Sequence, residues 1–168
     1  MRVLETKFSE VLLLEPDVFP DNRGHFMEVW RCDRYPGLGV NVEFVQDNVS
    51  FSRQGVLRGM HFQNPHPQGK LVTCLHGEVY DVVVDVRLGS KTFGQWFGSY
   101  LSLQNGRQLY VPAGFAHGFV VTSESASFLY KCTSFYAPRN DHCVLWSDPD
   151  IGIEWPVKDT VLSAKDSQ

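Results

Sequence analysis

The run Arg58-Gly59-Met60-His61-Phe62-Gln63 is followed, seven positions after Gln63, by Lys70 within Gln68-Gly69-Lys70-Leu71-Val72. These stretches bring a titratable imidazole and an ammonium group together in segments otherwise made of strand-forming residues. A histidine can take a proton from carbon, and a nearby cation can hold the negative charge that this creates. The pair suits chemistry at a carbon beside a carbonyl. His61 by itself reads as a satisfied core histidine and Lys70 by itself as a solvated surface lysine; their shared segment favours the chemical reading.

The elements that must position these groups are strands. Alternating or β-branched runs predict strands at Val11 to Leu14, His25 to Trp30, Val42 to Asn48, Leu71 to Leu75, Glu78 to Arg87, Gly94 to Leu101 and Gln108 to Val111. Others follow at Gly118 to Thr122, Ser127 to Cys132 and Cys143 to Trp146. His76-Gly77 reads as a tight hairpin turn. Helical periodicity is weak, with a short turn over Arg31 to Tyr35 as the best candidate. Many short strands separated by Gly, Pro and Asn predict an all-β antiparallel sandwich or barrel, in one domain over residues 1–168. A barrel mouth lined by inward-facing residues offers a cavity. Polar residues inside apolar strand patterns are candidates to face it: Gln46, Asn48, Arg58, His61, Lys70, Asp81 and Asp85. Asp81 and Asp85 also read as structural partners, with Arg87 near by.

Composition narrows the function. The formal charge of -4, from 15 basic and 19 acidic residues, creates no general attraction for polyanions, so nucleic-acid binding is not expected. An anionic ligand must be held by a few placed Arg and Lys side chains. Cys32, Cys74, Cys132 and Cys143 lack C-x-x-C spacing and read as buried free thiols of a cytoplasmic protein. The N-terminal residues carry no signal pattern, and no run of about 18 apolar residues suggests a membrane span.

Val111-Pro112-Ala113-Gly114-Phe115-Ala116-His117-Gly118-Phe119 contains P-x-G-x-x-H, which resembles the second motif of the cupins, small jelly-roll barrels. Pro112 and Gly114 make a turn that returns His117 toward the barrel. Many cupins use this histidine as a metal ligand. Here His61 is followed by Phe62 and Gln63 rather than completing an H-x-H pair, so the ligand set is incomplete and no metal or other cofactor is expected.

G-V-L-R-G-M-H-F-Q, Q-G-K-L-V, G-E-V-Y-D-V-V-V-D-V-R, T-F-G-Q-W, V-P-A-G-F-A-H-G-F and F-L-Y-K-C, in this order, resemble the dTDP-4-dehydrorhamnose 3,5-epimerases from about Leu14 to Asp166. The resemblance implies a cupin double-stranded β-helix with few short helices. It implies a homodimer without cofactor that acts on a dTDP-linked 4-keto-6-deoxyhexose. It assigns His61 as base, Asp166 as its orienting carboxylate, Lys70 as the cation beside the enolate oxygen, and Tyr130 as the acid on the opposite face. Asp166 would also raise the basicity of His61. Arg23, Phe26, Glu28, Gln46, Asn48, Arg58, His117 and Tyr136 match substrate-contacting positions. The residues alone leave His117 equally open to a structural role, and read Tyr130, beside Phe128 and Leu129, as a core tyrosine with its hydroxyl at the rim. His25 stands where the family usually has an apolar aromatic. The family also continues beyond Asp166, which lies near the end of this sequence, so its ordering as a dyad partner is left open. The Val11 to Leu14 strand is expected to pair across a dimer interface. Alternatives within the same fold are epimerases that invert one carbon and ketoisomerases; a cupin that binds a sugar nucleotide without turnover would not need both base and acid.

Overall fold

The computed structural model describes residues 1–167. Its strands are, in chain order, β1 (Arg2–Leu4), β2 (Leu12–Glu15), β3 (Val18–Asp21), β4 (Gly24–Met27), β5 (Gln46–Arg53), β6 (Leu57–Gln63), β7 (Lys70–His76), β8 (Glu78–Asp85), β9 (Trp96–Ser102), β10 (Gln108–Val111), β11 (Phe115–Val121), β12 (Ser125–Cys132) and β13 (Asp141–Cys143). Two sheets hold most of them, in the orders β1-β2-β10-β7-β12-β5 and β13-β6-β11-β8-β9, while β3 and β4 form a separate hairpin. Every pairing between these strands is antiparallel. This is the all-β jelly-roll architecture of the cupins, with two short 3-10 turns among the described residues, Tyr35–Leu38 and Pro138–Asn140.

Period-two alternation explains why the sheets face each other. On β7 the side chains of Val72 and Cys74 enter the core between the sheets; on β8 those of Val79 and Val83 meet them, together with Phe115, Phe119, Val121 and Phe128. The outer faces are covered too. Tyr35 and Val40 pack on Leu14, Leu71 and Tyr110 outside the six-stranded sheet. Ile151, Ile153 and Trp155 pack near Met60, Val82 and Val84 outside the other. No helix of the described residues is long and apolar enough to cross a membrane.

Three expectations are corrected. His76-Gly77 is not a hairpin: β7 and β8 belong to different sheets, and Gly77 turns the chain from one to the other. Its φ is +72°, and a Cβ there would lie 1.9 Å from the Ser125 carbonyl oxygen. Gly77→Ala is therefore expected to cost on the order of 3 kcal/mol, read as a lower denaturation midpoint; an unchanged midpoint would mean that the corner relaxes freely. Second, the 42–48 strand is displaced, because pairing begins only at Gln46, where β5 meets β12. Third, β2 is flanked on both sides by β1 and β10 of the same chain, so it has no open edge to offer a second copy. The cysteines are free as expected, but Cys32 is exposed and Cys143 only half-buried. Asp85 accepts from Nε and Nη2 of Arg87 and from the hydroxyls of Ser90 and Thr92, which pins the loop after β8. Burial pushes its carboxyl up, but these hydrogen bonds win and hold it well below the usual carboxylate range.

Candidate active site

Arg58 and His61 are three residues apart, so a regular strand would send them to opposite faces. A bulge changes this. His117 pairs with His61, but Phe119 pairs with Arg58, so two steps along β11 match three along β6. Gly59 supplies the bend with φ +133°, and a Cβ there would lie 2.5 Å from the Gly118 Cα. Arg58, His61, His117 and Phe119 consequently all line one cavity of about 400 Å³ between the sheets.

His61 Nε2 lies 2.5 Å from Asp166 Oδ1. The carboxylate comes from the far end of the chain, carried by a strap that runs back along β6. Val161 bridges to Val56, its N–H donates to the Gly55 carbonyl at 2.8 Å, and its own carbonyl accepts from Leu57 N–H at 3.0 Å. The Ser163 hydroxyl then donates to Asp166 Oδ2 at 2.7 Å, and the Lys165 ammonium donates to Asp141 on β13. Asp166 is thus 3 % exposed, its carboxylate held by His61 and Ser163 although it lies so near the end of this sequence. Asp166 raises the basicity of His61, as expected, yet the net shift is downward. Burial is the largest influence and lowers its pKa, and Asp166 offsets only part of that, so the ring is neutral and able to accept a proton at neutral pH.

A second imidazole–carboxylate pair faces the first. His117 Nε2 is 2.8 Å from Asp81 Oδ2, and Asp81 is completely buried with its Oδ1 lacking a hydrogen-bond partner. Burial raises the Asp81 pKa, opposed by His117 and then by Lys70. Lys70, at the start of β7, takes part in no ion pair among the described residues, and burial draws its pKa down. Tyr130 lies on β12 between Asn48 and Val72; burial raises its phenol, which is therefore protonated and able to donate.

Nine of the twelve residues singled out from the sequence meet at this cavity: His61, Lys70, Tyr130, Asp166, Gln46, Asn48, Arg58, His117 and Tyr136. Some are already engaged. Gln46 Oε1 accepts the Tyr136 N–H at 2.9 Å and its amide donates to Asn48, so Gln46 fixes the segment that carries Tyr136. Arg58 gives only its Nε to Ser52, at 3.0 Å, leaving its terminal nitrogens for a ligand. Arg23, Phe26 and Glu28 do not line the cavity. Arg23 and Phe26 sit exposed on the β3–β4 hairpin, and Glu28 pairs with Arg34. The sequence reading missed Gln63, Gln68, Asp81 as the partner of His117, Asp141, Ser163 and Lys165. Gln63 carried a signal, since it is two residues from His61 on one strand. The partners of His117 and Lys165 carried none, because only tertiary pairing brings them close.

Among the described residues only one group of three donors could hold a metal: His61, Cys143 and Asp166, with ligand atoms all within 4.8 Å of one another. His117, the metal ligand of many cupins, is not part of it.

Fold and cleft together define a class, the cupin-fold isomerases of carbohydrates. The sequence profile of dTDP-4-dehydrorhamnose 3,5-epimerase matches residues 5–168. A dTDP-4-dehydrorhamnose 3,5-epimerase of Shigella flexneri is 52% identical over 168 residues, covering 99% of this chain and 93% of that one. The crystal structure of a dTDP-6-deoxy-D-glucose-3,5-epimerase from Legionella pneumophila Philadelphia 1, in complex with dTDP-4-keto-L-rhamnose, superposes with a TM-score of 0.95 at 49% identity, over 98% of this chain and 89% of that one. That of a dTDP-4-dehydrorhamnose 3,5-epimerase from Bacillus anthracis str. Ames, with TDP and PPi bound, gives 0.95 at 47% identity over 98% and 95%. The chain belongs to the dTDP-4-dehydrorhamnose 3,5-epimerase family.

Proposed function

We propose that the protein inverts carbons 3 and 5 of dTDP-4-dehydro-6-deoxy-D-glucose through enolate intermediates, giving dTDP-4-dehydro-L-rhamnose. The observation that carries this reading is the His61–Asp166 pair at 2.5 Å, set in the same cavity as Lys70 and Tyr130. His61, held by Asp166 through Nε2, takes the proton from the carbon beside the ketone with its other ring nitrogen. Lys70 stabilises the oxyanion that forms, its ammonium being tied up in no ion pair among the described residues. Tyr130 returns a proton on the other face, which inverts the carbon. The Asp81–His117 pair and Arg58 hold the ketone side and the diphosphate.

The test is solvent deuterium incorporation into dTDP-4-keto-6-deoxyglucose in heavy water, read by mass spectrometry and proton NMR. Two deuterons, at carbons 3 and 5, are expected. One would make the protein a single-site epimerase, and none with ligand bound would leave a binding role. Tyr130→Phe is expected to slow inversion while the abstracted proton still exchanges with solvent; full inversion by this variant would remove Tyr130 as the acid.

The working unit we propose is a homodimer of one cupin domain per chain, 1–168, in the cytoplasm, a compartment suited to four free thiols. Support comes from apolar surface: Phe26 is 70% exposed on its hairpin, and Val49 and Phe51 on the edge strand β5 are 63% and 61% exposed. A second copy covering these edges would bring the hairpin with Arg23, Phe26 and Glu28 to the mouth of its neighbour's cavity. Arg23→Ala is then expected to raise KM for the sugar nucleotide about tenfold with little change in kcat. An unchanged KM, or a monomer by light scattering, would sink this arrangement.

A further inference from the structure

Cys143 has no part in the chemistry above, yet its thiol stands beside the base. On β13 it is the cross-strand partner of His61, and the register is locked on one side by Val144 N–H donating to the Met60 carbonyl at 2.9 Å. Its thiol donates a weak hydrogen bond, 3.5 Å to the carbonyl of Val144. Ser163 fixes the third member of the group, Asp166, from behind at 2.7 Å. A sulfur, an imidazole nitrogen and a carboxylate oxygen therefore converge from three separately anchored segments within 4.8 Å of one another. We propose that His61, Cys143 and Asp166 bind a thiophilic divalent cation of the Zn²⁺ type, which displaces the hydrogen bond of the dyad and reversibly switches the protein off.

The geometry requires little movement. Bonds of about 2.0–2.3 Å to N, O and S in a tetrahedron set the donors roughly 3.3–3.8 Å apart. The present spread is 2.5 Å between His61 and Asp166 and at most 4.8 Å overall, so the dyad must open and the thiol must approach, each by about 1 Å. Three protein ligands leave the fourth position to water or a ligand from the cavity, the pattern of open zinc sites. Donor chemistry selects the ion: thiolate with imidazole disfavours Mg²⁺ and Ca²⁺ and suits Zn²⁺ or Co²⁺. Charge also balances, since thiolate and carboxylate together neutralise the dication, the thiol proton passing to solvent on binding. Lys165 is the one cation of the strap near by, and its charge is met by Asp141.

Binding itself stands on these donors alone; only the loss of activity rests on the proposed role of His61. Co²⁺ titrated into the purified protein is expected to give an intense near-ultraviolet thiolate-to-metal band that Cys143→Ser abolishes and Cys32→Ser, at the exposed thiol, leaves intact. Zn²⁺ is expected to inhibit the unmodified protein with reversal by EDTA, and Cys143→Ser, with its basal turnover kept, is expected to need at least about tenfold more Zn²⁺. No cobalt band, or a band that survives Cys143→Ser, would overturn the site. Equal zinc inhibition of the two proteins would overturn the switch. A cobalt band in a protein without epimerase activity would keep the site and remove the functional reading instead.

Discussion

His61→Ala is expected to lower turnover about 10³- to 10⁴-fold while affinity for dTDP changes less than about threefold. The imidazole lines the cavity with its Nε2 fixed 2.5 Å from Asp166, a carboxylate carried on the C-terminal strap. Removing it deletes an interaction used when the proton leaves carbon, not one that holds the nucleotide, so the loss falls on kcat. The rest of the site should stay in place, because β6 is fastened by its pairing to β11 and β13 rather than by this side chain. Calorimetric titration with dTDP beside steady-state rates separates the two effects. A loss of nucleotide affinity as large as the loss of turnover would make His61 a binding group.

Lys70→Met has a two-sided outcome. Turnover is expected to fall about 10²- to 10³-fold, the usual effect of deleting one group that stabilises a developing oxyanion. Stability is expected to rise. An ammonium half-buried at the cavity, with no ion-pair partner among the described residues, raises the free energy of the folded state, as the downward pull of burial on its pKa indicates. Methionine keeps the unbranched shape, drops the charge and tolerates irregular space, so the gain should be on the order of 1 kcal/mol. Thermal denaturation and the deuterium assay on the same preparation test both sides. Reduced stability with unchanged turnover would turn Lys70 into a structural lysine and leave the enolate without its cation.

Gly98 shows how local packing bears on substitutions elsewhere: a Cβ there would meet the Tyr80 hydroxyl at 2.3 Å, so a larger residue at that crossing of β8 and β9 requires the Tyr80 ring to move, although no chemistry depends on it.

The sequence by itself determined the strands and the cast of the site. Alternation over Glu78 to Asp85 placed Val79 and Val83 on one face with Asp81, and the local runs around His61, Lys70, His117 and Tyr130 carried the family resemblance without any three-dimensional information. Asp166 came from the same source. What tertiary structure decided is who meets whom. A β-strand's period fixes the face of each side chain, but a single extra residue at Gly59 reversed that parity and brought Arg58 to the side of His61. Gly77 looked like a hairpin because two strands flank it, whereas pairing depends on edges supplied by β10, β12, β11 and β9, which lie far along the chain. Asp81 with His117, Lys165 with Asp141 and Cys143 with His61 are partnerships across 36, 24 and 82 residues. No local propensity encodes them, because each is set by sheet order and register, which the buried faces of the whole barrel decide together.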